Sequence, residues 1–280
     1  MNKAIYMPKG KAGEYAKYAC NFYVGCSNDC DYCYCKRGVL GHAMGKPQAT
    51  LKKCFKNADD AIMQFERELL KNLDEYRKHG IFFTFTSDPL LPETQWLTWS
   101  AITTAVTFRV PCKLLTKRAD FDVPRIAYEH KDLIAFGFTL TGMDSMELNA
   151  STNVERISTM RYLHDRGFKT FASIEPVIRL DNSLAMIYET IGWCDLYKIG
   201  LLSGHKDYTQ EDVSMFVMDV NCLIDTHNYR RKTNTKVYWK DSVLEFLKID
   251  KEYRKIPTRF SWRFDHYFCV GADYNIFTNL

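Results

Sequence analysis

No run in this 280-residue chain approaches the roughly 18 to 20 apolar residues that cross a membrane. The opening MNKAIYMPKGKAGEYAK is basic, but no apolar segment follows it, which predicts a chain without an export signal. Glycine and proline are few, 14 and 8, and fall at the ends of elements. No repeat, low-complexity tract or Pro/Gly/Ser linker is present, so nothing indicates an array of small modules. Neither sign of charge dominates: the net +4 permits a polyanionic partner without requiring one. With 46% apolar residues the chain can bury a sizeable core, and its length suits one large domain or two small ones.

Cysteine is plentiful, at ten. Without an export signal these are expected to stay thiols in a reducing cytoplasm. There a tight cysteine cluster reads as a metal or cofactor site before it reads as disulfides.

The chain alternates short β-rich runs with longer runs of helical period. Strands are expected at 18–24, 81–86, 112–116, 133–140, 170–174 and 196–201. IFFTFT and LIAFGFTL are apolar on nearly every residue, as in a parallel sheet covered on both faces. Helices are expected at 57–79, 93–108, 122–130, 151–166, 184–193 and 209–225. Asn57 is the N-cap of the first, Gly80 and Gly167 are stop signals, and Thr209 with Asp212 forms a capping box. Six βα units make a doubly wound sheet or a partial (βα)6 TIM-type barrel, and in both, function gathers at the carboxyl ends of the strands.

The last stretch differs. Residues 226–259 hold ten Lys/Arg against four acids, and FSWRFDHYFCVGADYNIFTNL is aromatic-rich. We read 1–225 as the core domain and 226–280 as a basic, aromatic C-terminal extension packed on it.

The first strand runs into GCSNDCDYCYC, where Cys26, Cys30 and Cys33 are spaced C-x3-C-x2-C. Three thiolates in one loop suit a [4Fe–4S] cluster, whose four irons normally take four cysteines. Three leave one iron open for a small molecule. Zinc would use the same thiolates with Cys35 or His42 as fourth ligand. The position after the first strand of a six-fold βα series favours the cluster.

This spacing and position, with an aromatic before the third cysteine, resemble the radical S-adenosylmethionine (SAM) superfamily. Between about Ala19 and Gly204 the resemblance narrows to spore photoproduct lyase-like, DNA repair photolyase-like proteins. It is carried by NFYVGCSNDCDYCYC, TFTSDPLLPET at 84–94, LLTKR at 114–118, FTLTGMD at 138–144 and SIEPVIR at 173–179. It implies a lyase- or transferase-type enzyme that binds a cluster and SAM and makes a 5′-deoxyadenosyl radical, which takes hydrogen from substrate. A flavodoxin- or ferredoxin-type reducing partner is implied and no membrane. Ser87 and Asp88 resemble the acceptors of the SAM amino group. Lys117 resembles the partner of its carboxylate, and Thr139 the hydroxyl near carboxylate or ribose. Tyr32 is expected to place its backbone along the adenine, and Glu175 to aim at SAM or substrate.

The resemblance breaks at one position. Where the lyase has a hydrogen-donating cysteine, two residues before the Ser-Asp pair, this chain has Phe85. Thymine-dimer reversal is therefore not implied, and Tyr34 or Cys35 becomes the alternative donor. Arg179, Lys198, His205 and Lys240 lie where a substrate would be met. The basic tail, with Trp239, Trp262 or Tyr267 to stack a base, fits a nucleic acid or nucleotide substrate. Peptide or small-metabolite chemistry, and a non-catalytic nucleic-acid-binding role, are the alternatives.

Overall fold

The computed structural model describes residues 3–37, 41–204, 207–251 and 267–278. The strands, in chain order, are β1 (Ile5–Tyr6), β2 (Ala19–Cys20), β3 (Tyr23–Val24), β4 (Thr50–Leu51) and β5 (Ile81–Phe83), then β6 (Cys112–Thr116), β7 (Ile134–Thr139), β8 (Lys169–Val177), β9 (Leu196–Leu201) and β10 (Lys236–Trp239). The helices are α1 (Gly41–Met44), α2 (Ala58–Lys71), α3 (Leu73–His79), α4 (Gln95–Thr107), α5 (Arg125–Glu129), α6 (Asn153–His164), α7 (Leu180–Thr190), α8 (Gln210–Arg231) and α9 (Asp241–Phe246). Eight strands form one sheet in the order β1-β2-β5-β6-β7-β8-β9-β10, and β3 pairs with β4 apart from it. Every neighbour pair from β2 to β10 is parallel; only β1 on β2 is antiparallel. The fold is the expected α/β partial barrel: the sheet is mostly parallel and does not close.

Local chemistry explains most element ends. The Asn57 side chain accepts from the Asp60 amide at 2.8 Å and starts α2. Gly80 ends α3 at φ +69°, where a Cβ would stand 2.8 Å from the Pro111 carbonyl oxygen. Thr209 and Asp212 form the expected capping box on α8, and Thr152 with Glu155 forms another on α6.

Two expectations need correction. The run 18–24 is two strands, because β2 pairs with β5 while β3 turns away to β4. The helix at 57–79 breaks at Asn72 into α2 and α3. Residue 225 lies within α8, and after it β10 pairs in parallel with β9, so the sheet runs on past that point.

The sheet curves enough for Phe82 on β5, Phe171 on β8 and Tyr238 on β10 to share one buried cluster with Tyr15 and Ile276. Side chains alternate across each strand, so 135, 137 and 139 of β7 face this interior, as do 171, 173 and 175 of β8 and 196, 198 and 200 of β9. Gly137 makes room there: a Cβ would lie 2.1 Å from the Phe171 ring. The segment between β1 and β2 reaches the opposite edge of the sheet. Glu14 accepts from the Asp241 amide at 2.7 Å and from the Tyr238 hydroxyl at 3.1 Å. The tail lies along the free edge of β10, where the Val237 amide donates to Phe268 at 2.9 Å, and it buries Ile276 in the interior.

Candidate active site

The cysteine loop begins at Gly25, φ +86°, where a Cβ would stand 2.2 Å from the Gln48 carbonyl oxygen; no other residue fits this turn. Tight turns follow, the Cys33 amide donating to Cys30 at 3.2 Å and the Lys36 amide to Cys33 at 3.1 Å. Cys30 and Tyr32 pack on Ile178, with Met143, Met146 and Leu202 around them. Those residues follow β7, β8 and β9, so the loop lies over the carboxyl ends of the strands. Cys26, Cys30 and Cys33 are all free thiols. Burial and the nearby Asp88 push Cys26 up to about 12, whereas a hydrogen bond from Cys35 draws Cys33 down to about 6. A bound metal centre strips the proton from each thiol it ligates. Among the described residues no three His, Cys, Asp or Glu side chains converge on a single ion. A cube-type cluster takes its thiolates on different irons, and three cysteines from one loop suit that donor set.

The expected acceptor pair, Ser87 and Asp88, divides into two roles. Asp88 is buried and already accepts four hydrogen bonds: from Asn28 at 2.8 Å, the Leu90 amide at 3.0 Å, the Thr116 hydroxyl at 2.6 Å and the Lys117 amide at 2.7 Å. A carboxylate has about four lone-pair sites, so Asp88 has none to spare. It ties the cysteine loop, through Asn28, to the end of β6. Asn28 is also gripped by the Arg118 guanidinium at 3.4 Å. Ser87 Oγ, by contrast, is buried with no partner among the described residues. Asp88→Ala is therefore expected to cost about 1–3 kcal/mol of folding stability, since the donors it leaves are buried. Denaturant unfolding of the cluster-free chain reads this out; wild-type stability with only SAM binding impaired would return Asp88 to the ligand.

Lys117 follows β6, and its ammonium lies 5.5 Å from the centre of the Tyr32 ring. Burial works to lower its pKa, but Cys30, Glu147 and Cys26 outweigh it and the lysine is held above its ordinary value. Among the described residues it forms no ion pair. The Tyr32 hydroxyl donates to Glu147, which also accepts from the fully buried Arg156. Arg156 donates in turn to the Thr139 carbonyl at 2.5 Å. One buried chain thus links the cysteine loop to the end of β7, a link that nothing in the sequence singled out. Its sequence trace is only a charged residue on the covered face of α6.

Glu175 lies in the top interior layer. Its Oε2 accepts from the Tyr15 hydroxyl at 2.7 Å and from Lys240 at 2.6 Å. Gly200 leaves them space, since a Cβ there would meet Glu175 at 2.8 Å. Lys240 is turned into the interior, its side chain 1% exposed. Lys198 points inward too, donating to the Glu14 carbonyl at 2.6 Å, and burial with Lys113 nearby pulls it well below its usual range. Tyr15 and Glu14, in an irregular segment with no periodicity, were not legible as site residues.

SuiB of Streptococcus suis bound to S-adenosylmethionine superposes with a TM-score of 0.50 at 13% identity, covering 84% of this chain and 49% of SuiB. The chain has the radical SAM fold. Spore photoproduct lyase complexed with dinucleoside spore photoproduct aligns at 17% identity and a TM-score of 0.49, covering 76% of this chain and 63% of the lyase. An uncharacterized protein of Methanocaldococcus jannaschii is 25% identical over 173 residues, 58% of this chain. The chain spans 61% of that relative's length. No family model matches.

At the position that breaks the lyase-like pattern in this radical SAM fold, Phe85 stacks on Phe82 at 4.5 Å and meets Tyr15 edge-on at 6.0 Å. Its carbonyl accepts from the Tyr34 hydroxyl and lies 3.8 Å from the Cys35 thiol. Tyr34 is 63% exposed, at the rim rather than in the interior. Arg179 is on the surface, paired with Asp181 at 2.9 Å. His205 and Trp262 lie outside the described residues.

Of the expected nucleic-acid face, residues 252–266 lie outside the described residues, and Tyr267 is 62% exposed. Trp239 is buried, and Lys236 turns its ammonium to the Tyr267 carbonyl at 3.2 Å. Arg230, Arg231 and Lys232 precede β10 and so sit at the amino end of the sheet, opposite the cysteine loop. No helix among the described residues is long and apolar enough to cross a membrane.

Proposed function

We propose that this chain is a radical SAM enzyme, with Cys26, Cys30 and Cys33 holding a [4Fe–4S] cluster. The observation that carries the reading is one convergence: the three-thiol loop, an orphaned Ser87 Oγ and the unpaired Lys117 meet at one end of the sheet. Bound there, cluster and SAM together supply reductive cleavage to a 5′-deoxyadenosyl radical, which takes hydrogen from substrate. Lys117 holds the SAM carboxylate, and Ser87 accepts from its amino group. Asp88 fixes the loop. Tyr32, immobilised by Glu147, sets the backbone along the adenine, and Thr139 offers a hydroxyl nearby. Glu175, kept in place by Tyr15 and Lys240, faces SAM or substrate from the interior, and Tyr34 closes the rim. The reading supports a nucleic acid or nucleotide as substrate only through overall charge; a peptide or small metabolite is the alternative.

Anaerobic reconstitution followed by SAM and dithionite is expected to yield 5′-deoxyadenosine. Alanine at Cys26, Cys30 or Cys33 is expected to abolish both the brown chromophore and the product. A colourless, zinc-loaded wild type after reconstitution would sink the proposal.

A further inference from the structure

The helix α8 is apolar on two sides. Inward it buries Val213, Phe216, Val217, Val220 and Ile224. Outward it carries Met215, Met218 and Tyr229, 50%, 41% and 74% exposed, and Cys222, which is also exposed. At about 100° per residue these four fall within an arc of about 60°, on the side away from the core. A helix apolar all round is ordinarily covered on both sides. The helix leads from the carboxyl end of β9 back to the amino end of β10, so it lies outside the sheet and its outer stripe takes no part in the cysteine site. Its two ends differ in charge. Glu211 and Asp212 stand in the first turn, and Arg230 and Arg231 in the last, with Lys232 directly after. Glu211, Arg230, Arg231 and Lys232 are exposed.

We propose that this stripe packs on the same stripe of a second copy of the chain, the two α8 helices running antiparallel about a two-fold axis near Val220. Apolar residues spaced three and four apart are the pattern of a helix–helix seam. A two-fold contact needs only one patch that complements itself. Antiparallel packing lays Met218 of one copy on Cys222 of the other. It sets Glu211 beside Tyr229 and Arg230 of the second copy, so the acidic end of each helix meets the basic end of its mate. A parallel pair would bring like ends together. A partner of one charge would match one end of the stripe and be repelled by the other. The same packing places the two Asp219 side chains on one flank close to the axis, a single repulsive contact against two attractive ends. Because α8 lies outside the sheet, the pairing leaves both cysteine loops uncovered, opening at opposite ends of the dimer.

The test is sedimentation velocity of the cluster-free chain at low salt. One helix pair is a small interface, so wild type is expected to pass from monomer to dimer as its concentration rises to roughly 100 µM. Met218→Lys should weaken the dimer at least about 10-fold, since it sets a charge against an apolar stripe. Glu211→Lys should weaken it by roughly 10-fold, because the two-fold axis counts each reversal twice, and adding Arg230→Glu should restore it. Asp219→Asn should tighten it. A short bismaleimide should join two chains through Cys222, and Cys222→Ser should lose that cross-link while keeping the dimer. Each variant lies on the surface and should keep the wild-type urea midpoint. A wild type that stays monomeric at that concentration would overturn the proposal. So would a dimer that Met218→Lys and Glu211→Lys both leave intact, since its contact would lie elsewhere on the chain.

Discussion

Lys117→Ala is expected to leave the cluster in place and to weaken SAM binding by about 2–5 kcal/mol, roughly 30-fold to a few thousand-fold. No thiolate is lost, so absorbance and iron content of the reconstituted protein should not change. What is lost is the cation beside a negatively charged thiolate–iron centre, to which the SAM carboxylate adds a further negative charge. Lys117 suits that role because it is held charged by Cys30, Glu147 and Cys26 against the pull of burial, and because among the described residues no carboxylate claims it. Lys117→Arg should restore only part of the affinity, since a forked guanidinium is bulkier than a point ammonium. Calorimetry on the reconstituted protein decides: an alanine variant within about twofold of wild type would make Lys117 a bystander.

Arg156→Met should cost about 3–5 kcal/mol of folding stability, as when one partner of a buried ion pair is removed. Arg156 is fully buried, and its loss leaves the buried Glu147 carboxylate with the Tyr32 hydroxyl as its hydrogen-bond donor and only the more distant Lys117 as a countercharge. The Thr139 carbonyl loses its donor as well. Urea unfolding of the cluster-free chain measures the loss. Adding Glu147→Gln should return part of it by removing the stranded charge, and the gain would identify the cost as electrostatic rather than as lost volume. A single variant within about 1 kcal/mol of wild type would show that water reaches Glu147.

The elements were largely legible. Apolar runs at 112–116 and 196–201 became strands with those bounds, and Asn57, Gly80, Thr209 and Asp212 ended helices through contacts within a few residues of themselves. The cysteine spacing was equally local. Misreadings came where two partners competed for one stretch. The run 18–24 is β-like throughout, and only pairing with β5 on one side and β4 on the other splits it.

Roles at the site were less legible than its residues. Ser87 and Asp88 are neighbours of similar polarity, yet four donors, from the cysteine loop, Asp88's own turn and the end of β6, consume Asp88, and among the described residues none reaches Ser87. Trp239 reads as an aromatic free to stack a base, yet it is buried because β10 extends the sheet, while Lys240, read as facing a substrate, turns inward to Glu175.

By itself, the sequence determined the alternation of strand and helix, the parallel sheet and the three-thiol loop, since each depends on residues close together along the chain. The tertiary structure decided which side of each strand faces inward, that Tyr15 and Lys240 both hold Glu175, and that, among the described residues, Ser87 Oγ has no hydrogen-bond partner and Lys117 no ion pair. A strand apolar on both faces carries no mark of its inner side. That side exists only once the sheet has curved and residues as far apart as 15, 175 and 240 have met inside it.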